Sequence, residues 1–350
     1  MKILLNSNNS GFQAPGGGEI LLSKTKEFLL KKGIDVKLFD QWNDKLEDFD
    51  ILHNFGLSNN CYDVINVAHN KKVPIAITPI YSWPSLKFAF KSGTNFKDKV
   101  KLGGYALTHN TPFFNRFTYA SKMLNMADRI ITDSKAERDV IDNSYKLNKD
   151  KYRVIPYAID RRFYDSDSKE FVEKYGLKDF ILYTGRIEPR KNVHKLIKIV
   201  NKLKYPLVIV GGKNYQEGDE YYKLCVKEAG DNKDIIFLDR FDHDSTMLGS
   251  AYAAAKMVAL PSWLENPGLS VLEGGLAGAN ILITSRGSPK EYFENYAHYV
   301  DPFDDKDIEK KLVLAYEKDK DNKLREHILN NFTWEVATDR MIKCYKDLLN

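Results

Sequence analysis

The chain has 350 residues, a length at which single hydrophobic cores stop growing, so two domains are expected. Its 53 basic and 48 acidic residues leave a net charge of +5, a weak bias toward anionic partners that does not separate nucleotide, nucleic acid and membrane surface. The three cysteines are widely spaced and form no C-x-x-C pair, which argues against a disulfide framework or a zinc site and indicates reduced thiols in a cytoplasmic setting.

The first half of the chain alternates strand and helix patterns. "KILLN" predicts a strand, "SNNSGFQAPGGG" a loop, and "EILLSKTKEFLLKKG" a helix that stops at Gly33. "IDVKLF", "FDILHNFG" and "VPIAITPI" predict further strands. "NRFTYASKMLNMADRIITDSKAERDVI" predicts a helix, a strand and a second helix that begins at Ser134, and "YRVIPYAID" closes this half.

The same alternation then restarts. "FILYTGRI", "YPLVIVGG", "DIIFLDRF", "KMVALPS" and "ANILITSRGS" predict strands, with helical patterns of about ten residues between them. Such a series is typical of parallel sheets with helices on both faces, and its two copies predict two doubly wound α/β domains. Ligands of these folds bind beyond the carboxyl ends of the strands, so we expect a cleft lined by the loops that follow them.

The stretch "LPSWLENPGLSVLEGGLAG" places two carboxylates eight positions apart, Glu265 and Glu273. Proline suits the first turn of a helix, so Pro267 predicts a helix start that leaves Glu265 in the preceding loop and Glu273 in the second turn. The amides of Leu269 and Ser270 would then border a helix N-terminus, which favours a bound anion. The two acids either hold hydroxyls of a ligand that carries phosphate, or are an ordinary turn cap and a surface ion-pair partner.

Two other loops after predicted strands contain residues suited to phosphate. "GRIEPRKN" puts Arg186 at a strand end and Lys191 five residues later, a pair that suits a diphosphate or that faces solvent as ordinary loop cations. "APGGGE" allows close backbone approach to a ligand, but it matches neither G-x-G-x-x-G nor a Walker loop, which makes a dinucleotide dehydrogenase a poor fit.

Taken together and in this order, "PGGG", "MADRIITDSKAERD", "RVIPYAID", "ILYTGRIEPRKN" and "LPSWLENPGLSVLEGGLAG" resemble the motifs of glycosyltransferase family 4, from one end of the chain to the other. The resemblance implies the GT-B fold, two Rossmann-like domains that face an interdomain cleft, and retaining sugar transfer from a nucleotide-sugar. It implies an acceptor-side domain over residues 1–160 and a donor-binding domain over 170–334. It also implies that the chain crosses back at Trp334, so that the final helix, 335–350, packs on the first domain.

The resemblance also implies roles for individual residues. Arg186 and Lys191 would bind the donor diphosphate, and Glu265 would contact hydroxyls of the transferred sugar; these three form the expected catalytic set. Glu273 would hold the ribose hydroxyls of a UDP- or GDP-linked donor. The remaining donor-binding positions would be backbone: Gly17, Gly18, Gly268, Leu269 and Ser270. The cations and the helix N-terminus would stabilise the leaving diphosphate without a metal or other cofactor.

The sequence departs from the family pattern in two places. Where many members carry a histidine beside the transferred sugar, "AITPIYSW" has Ile80 and Tyr81, and a family glycine near the base is replaced by Asp239. His53 and His109 lie outside that motif. Asp-x-Asp, the metal motif of a different transferase fold, occurs three times, and none of these pairs follows the right strand: Asp48/Asp50, Asp165/Asp167 and Asp242/Asp244. We interpret them as surface acids.

One segment bears on where the protein works. Residues 83–101, "WPSLKFAFKSGTNFKDKVK", mix lysines with aromatics, which predicts either a solvated helix at the cleft rim or contact with an anionic membrane surface where lipid-linked acceptors reside. No apolar run approaches the roughly 18 residues that span a bilayer, and the apolar run at the start is too short for a signal peptide. We therefore expect a cytoplasmic protein, with any membrane contact peripheral and on the inner face.

The sequence supports one main interpretation and leaves two others open. The main one is a retaining glycosyltransferase that moves a sugar from a nucleotide-sugar to a glycan or lipid-linked acceptor in cell-surface polysaccharide or glycoconjugate synthesis, with no nucleic-acid partner. The alternatives are a sugar-nucleotide hydrolase or epimerase on the same scaffold, and a non-catalytic nucleotide-sugar-binding subunit, which the missing histidine favours.

Overall fold

The computed structural model describes residues 1–8, 17–81, 100, 103–104, 118–212 and 219–350. The described chain forms two compact units. The first contains its residues up to 81, residues 118–158 and residues 334–350, and the second contains its residues from 159 to 333. The loop between the first strand and first helix lies largely outside the described residues, as does the 83–101 segment apart from Val100.

A parallel six-stranded sheet forms the centre of the first unit, in the order β2-β1-β3-β4-β5-β6. Its strands are β1 (Lys2–Asn6), β2 (Asp35–Leu38), β3 (Ile51–Phe55), β4 (Ile75–Thr78), β5 (Arg129–Thr132) and β6 (Tyr152–Val154). Its helices are α1 (Gly17–Lys31), α2 (Tyr62–Asn70), α3 (Tyr119–Met126) and α4 (Lys135–Tyr145).

Both faces of this sheet are covered, as the continuous apolar strands require. Leu4 packs into one hydrophobic cluster while Ile3 and Leu5 pack into another, because successive side chains of a strand point to opposite faces. This burial on both sides explains why the strands have apolar residues in succession rather than in alternation.

The second unit contains another parallel six-stranded sheet, in the order β12-β11-β10-β7-β8-β9. Its strands are β7 (Ile181–Thr184), β8 (Leu207–Val210), β9 (Ile235–Leu238), β10 (Met257–Leu260), β11 (Asn280–Thr284) and β12 (His298–Val300). Its helices are α5 (Lys169–Tyr175), α6 (Val193–Leu203), α7 (Glu220–Ala229), α8 (Thr246–Ala254), α9 (Leu269–Leu276), α10 (Pro289–Phe293), α11 (Asp305–Glu317) and α12 (Lys323–Asn331). The prediction of two doubly wound parallel sheets is confirmed.

The last helix, α13 (Trp334–Leu349), belongs to the first unit, where it packs against α1. Trp334 stacks on Phe28 of α1 with ring centroids 5.8 Å apart. Tyr345 is fully buried, and its hydroxyl lies 2.6 Å from Nδ1 of His53 on β3. The apolar stripe of this C-terminal helix therefore completes one face of the N-terminal sheet.

Two further observations concern the whole described chain. The cysteines at 61, 225 and 344 are all free and buried. None of the helices in the described ranges is both long enough and apolar enough to cross a membrane.

Candidate active site

The order of the second sheet reverses between β7 and β10. From β7 the chain adds β8 and β9 on one side, and then returns to place β10 and β11 on the other. At such a reversal the loops that leave the two central strands diverge and open a crevice at the carboxyl edge, where ligands of this architecture bind. The loops after β7 and β10 are "GRIEPRKN" and "PSWLENPG", the two stretches that the sequence singles out.

These two loops are bonded to one another. The β7 loop ends in a 3₁₀ turn, Pro189–Lys191, followed by Asn192 in the left-handed region at φ 59°. The side-chain amide of Asn192 donates to the Pro261 carbonyl at 3.1 Å, and the Trp263 amide donates to the Arg190 carbonyl at 3.0 Å. Asn is among the residues that best tolerate this backbone conformation, and here it also fixes the spacing of the two loops.

Lys191 and Glu265 meet at this junction. The Lys191 ammonium lies 2.8 Å from Oε1 of Glu265, whose side chain is only 4% exposed. Arg190 approaches the same oxygen at 3.4 Å and donates to the Leu264 carbonyl at 2.9 Å. Burial acts to raise the pKa of Glu265, but the two cations outweigh it and hold that pKa below its usual value. Glu265 is therefore an ionised, buried carboxylate.

Arg186 belongs to the same charged group through Glu188. Its Nε lies 3.6 Å from one oxygen of Glu188, and Arg190 holds the other oxygen at 3.1 Å. The Arg186 side chain is 59% exposed, whereas Glu188 is buried. The two loops therefore bring three cations, Arg186, Arg190 and Lys191, around the carboxylates of Glu188 and Glu265. The group has an excess of positive charge, and Arg186 is its most exposed cation.

The helix after the β10 loop, α9, begins beside this group. Its N-cap is Gly268 at φ +90°, and a Cβ at that position would lie 3.1 Å from a Leu260 methyl carbon. The backbone conformation therefore favours glycine, and a side chain at this position would also crowd Leu260. Pro267 precedes the N-cap, so the prediction that it occupies the first turn is wrong: a left-handed Gly268 cannot lie inside the helix. The amides of Leu269 and Ser270 still occupy the first two helical positions, where no carbonyl one turn back can accept from them.

Glu273 lies in the second turn of α9 and is 6% exposed. His243 Nε2 lies 3.0 Å from its Oε1, and the Tyr252 hydroxyl donates to its Oε2 at 2.8 Å. The hydrogen bond to Glu273 raises the pKa of His243 above its usual value. The helix approaches the sheet closely here because its next residue is Gly274, where a Cβ would come 2.4 Å from a Val258 methyl carbon.

The remaining donor-binding candidates, Gly17 and Gly18, open α1 of the first unit. A Cβ on Gly18 would approach the Ile80 side chain to 3.3 Å, so this end of the helix faces the segment that follows β4. Ile80 itself has φ 51°, which is uncommon for a β-branched residue. The next amide, that of Tyr81, donates to Glu137 at 2.5 Å, which fixes the start of the segment where the family histidine is missing.

His53 does not substitute for that histidine. Its ring is fully buried in β3 between the Tyr345 and Thr78 hydroxyls, the latter 2.8 Å from Nε2. Burial lowers its pKa to about 3, so the ring is a neutral part of the core. His109 lies outside the described residues.

The three Asp-x-Asp pairs fall on the surface. All six of their aspartates are exposed: Asp48, Asp50, Asp165, Asp167, Asp242 and Asp244. Within the described parts of the chain, no group of three or more histidine, cysteine or acidic side chains is arranged to hold a metal ion. Asp239, where the family has a glycine, is exposed directly after β9.

Sequence reasoning missed four residues that complete the charged groups. Glu188 and Arg190 lie inside the quoted "GRIEPRKN" motif, and their alternating charges were a usable signal. His243 and Tyr252 come from the β9–α8 loop and from α8, and nothing in their spacing relative to Glu273 indicates that they bond to it. Only the packing of α8 beside α9 brings them together.

Comparison with known proteins agrees with this architecture. The sequence model of the family described as "Glycosyl transferases group 1" matches residues 165–332, and that of "Glycosyltransferase Family 4" matches residues 28–163. A probable sucrose-phosphate synthase of Thermosipho melanesiensis is 27% identical over 75% of this chain and 62% of its own length. An Escherichia coli protein named O-antigen chain mannosyltransferase B is 25% identical over 64% of this chain and 61% of its own. The chain thus aligns with about three fifths of the length of these relatives.

A solved structure extends the similarity to the whole chain. The Anabaena protein HepE, crystallised with UDP, superposes with a TM-score of 0.71 and 16% identity over 99% of this chain and 100% of its own. Two doubly wound parallel sheets form the GT-B fold, which this chain shares with HepE. The chain belongs to glycosyltransferase family 4, the group 1 glycosyltransferases.

Proposed function

We propose that this glycosyltransferase moves a sugar from a UDP- or GDP-linked donor to a glycan or lipid-linked acceptor, with retention of configuration at the anomeric carbon and without a metal. The observation that carries the proposal is the meeting of Lys191, Arg190 and Glu265 at the sheet's switch point, beside the N-terminus of α9. This combination suits a ligand that carries both phosphate and sugar hydroxyls.

The donor's parts match the site's parts. The diphosphate takes the amides of Leu269 and Ser270 and the guanidinium of Arg186, because a helix N-terminus and a planar cation both favour phosphate oxygens. Glu273 accepts the ribose hydroxyls. Glu265, eight residues earlier, accepts hydroxyls of the transferred sugar, so the phosphates lie between the two acids.

The reaction breaks the bond between the anomeric carbon and the phosphate oxygen and forms a bond from that carbon to an acceptor oxygen. Positive charge develops on the sugar while negative charge grows on the departing nucleoside diphosphate, which leaves with the proton of the acceptor hydroxyl. The Arg186 and Lys191 cations stabilise the second charge, and the Glu265 carboxylate the first. Loss of one preorganised group of this kind costs roughly 100- to 1000-fold in rate.

The location of the reaction is part of the proposal. We place it in the cytoplasm, with segment 83–101 against anionic lipid headgroups when the acceptor is lipid-linked, because its lysines and aromatics suit that surface. Cosedimentation with anionic and neutral vesicles tests this contact: binding to the anionic vesicles alone supports it, and equal recovery from both contradicts it.

A panel of nucleotide-sugars tests the transfer itself. We expect release of nucleoside diphosphate that depends on an added glycan or lipid-linked acceptor, with NMR of the product showing retained configuration. Release without any acceptor would instead indicate a hydrolase, and a changed sugar without release an epimerase. Nucleotide binding with no turnover on any acceptor would indicate a non-catalytic subunit.

A further inference from the structure

The Glu273 carboxylate is already held on both oxygens. His243 lies 3.0 Å from Oε1, and Tyr252 donates to Oε2 at 2.8 Å; the Tyr252 hydroxyl also lies 2.9 Å from the Thr184 hydroxyl. Tyr252 is fully buried, and Glu273 is nearly so. A buried carboxylate without such partners would be costly, so these two donors stabilise it and determine its orientation.

The two bonds leave room for a ligand. An ionised carboxylate offers about four acceptor positions, two on each oxygen. Histidine and tyrosine occupy one position on each, which leaves one on each oxygen. Two adjacent hydroxyls on one ring, as in ribose, can take these remaining positions together. The contacts of His243 and Tyr252 are therefore compatible with a bound nucleotide rather than in competition with it.

We propose that His243 is a positioning residue of the donor site: as an imidazolium it holds Oε1 of Glu273 in the orientation that accepts the ribose hydroxyls of a nucleoside diphosphate. The inference rests on the proposed function, since it assigns the ribose to Glu273. It adds a residue outside the two motifs and makes donor affinity depend on the charge of one side chain.

The surroundings of His243 favour the charged ring. Glu273 of α9 faces Nε2 of the ring. Asp244, the residue after His243 in the β9–α8 loop, lies 3.4 Å from Nδ1. Arg162 opposes them from the 3₁₀ turn Arg161–Phe163: its Nη2 lies 3.5 Å from Nδ1, and it also donates to the His243 carbonyl. Two carboxylates against one guanidinium favour the imidazolium, since a protonated ring is required to donate from both nitrogens.

The sign of the pH dependence follows from this arrangement. A bound diphosphate adds negative charge near the ring and favours its protonated form. Above the pKa that His243 has in the protein without nucleotide, binding is therefore accompanied by uptake of a proton by the ring. Affinity is then greatest at low pH and decreases as the pH rises through the raised pKa of His243. A ring that blocked Glu273 and had to leave before the nucleotide bound would give the opposite trend, with affinity increasing as the ring lost its charge.

The test measures the Kd of UDP and of GDP by titration calorimetry between pH 5.5 and 8.5. The variants are H243Q, which keeps a donor but cannot titrate, and Y252F, which removes the other donor without creating a large cavity. The control is H298Q. His298 lies on β12, and none of its described contacts is with Glu265 or Glu273. The terminal phosphate of the ligand also titrates in this range, so the quantity compared is the Kd of each variant divided by that of the unsubstituted protein.

We expect H243Q to bind about tenfold more weakly at low pH and to approach the unsubstituted protein at high pH, because a charge-assisted hydrogen bond is lost only where the ring is charged. Y252F weakens binding by a ratio that does not change with pH, and H298Q binds as the unsubstituted protein does. With 2′-deoxy-UDP the defect of H243Q shrinks, since one of the two hydroxyls that Glu273 accepts is missing.

Other outcomes overturn the inference. A Kd ratio for H243Q that stays near one at every pH, or tighter binding by H243Q than by the unsubstituted protein, excludes the positioning role. An equal defect of H243Q with UDP and with 2′-deoxy-UDP would show that the ring acts elsewhere than through the ribose. If the unsubstituted protein binds no nucleoside diphosphate, the proposed function fails and this inference fails with it.

Discussion

Lys191 and Glu265 form a buried ion pair, 2.8 Å from nitrogen to oxygen, between two loops that are 74 positions apart in the chain. Burial lowers the pKa of Lys191, while Glu265 acts in the opposite direction. The pair links the cation expected at the phosphate to the acid expected at the sugar. Both groups are therefore positioned before any donor arrives, so little reorganisation is needed when charge develops.

Glu265→Gln should mainly lower kcat, by about 100-fold, with a smaller change in the donor KM. Glutamine still accepts a hydrogen bond from Lys191, but it offers no negative charge to the developing cation on the sugar. Steady-state kinetics with the active donor measures both constants, and a thermal melt confirms folding, because the substitution leaves Lys191 and Arg190 with one acid fewer. A raised KM at unchanged kcat would assign Glu265 to binding alone.

Glu273→Gln should show the other pattern, a donor KM raised about tenfold or more with kcat nearly unchanged. In the proposed complex the carboxylate contacts the ribose, which is remote from the bond that breaks, so its interaction would be the same in ground and transition states. Product inhibition by the nucleoside diphosphate should weaken in parallel. If kcat decreased while the inhibition constant stayed the same, the roles of the two acids would be exchanged.

Much of the fold was accessible from the sequence. Parallel strands buried on both faces have runs of apolar residues, as at β7, β8 and β11, and the helix between β7 and β8 ends at Lys204, which has a left-handed backbone. The order of these elements predicts two doubly wound sheets. The positions of Lys191 and Glu265 at strand ends then follow, because neighbouring parallel strands direct their following loops to one edge.

The partners of the site residues could not be predicted in the same way. Glu188 joins Arg186 to Arg190 only because the 3₁₀ turn places their side chains together. His243 reaches Glu273 because the loop before α8 lies beside α9, and such contacts have no periodicity in the sequence. Pro267 differs from the sequence prediction for a local reason: the left-handed Gly268 is the N-cap, so the proline lies before the helix and not in its first turn.

Glu137 of the first unit should make stability depend on pH. Its oxygens accept the amides of Tyr81 at 2.5 Å and Asp133 at 2.7 Å, and burial together with Asp133 raises its pKa well above the usual value. A carboxyl whose pKa is higher in the folded chain stabilises it below the unfolded value and loses that contribution as the pH rises toward the folded value. The free energy of unfolding should therefore decrease from pH 5 to pH 8, by up to about 1.4 kcal/mol per pH unit, and the melting temperature should decrease with it.

Glu137→Gln should flatten this decrease, because glutamine does not titrate, even if the lost acceptor lowers the melting temperature at pH 5. Circular dichroism melts at each pH measure the slope. Glu47→Gln is a suitable control, since that exposed acid pairs with Lys71, which lowers its pKa, so its titration lies below the pH range of the test. An equal slope in the Glu137→Gln and unsubstituted chains would mean that Glu137 is ionised throughout this range.

Arg186 should replace the function that a metal serves in Asp-x-Asp enzymes. Its guanidinium is the most exposed cation of the group and is oriented by Glu188, so a diphosphate can reach it. Arg186→Ala should lower kcat by roughly 100- to 1000-fold, while turnover by the unsubstituted enzyme should survive excess chelator. Arg186→Lys should recover only part of the loss, because an ammonium restores the charge but not the planar guanidinium that binds two phosphate oxygens at once.

The matched control for Arg186 is Arg240→Ala, because Arg240 is an exposed arginine after β9. If chelation abolished turnover while Arg186→Ala cost only a few-fold, the leaving diphosphate would be stabilised by a metal, and the cations would serve only to attract the donor.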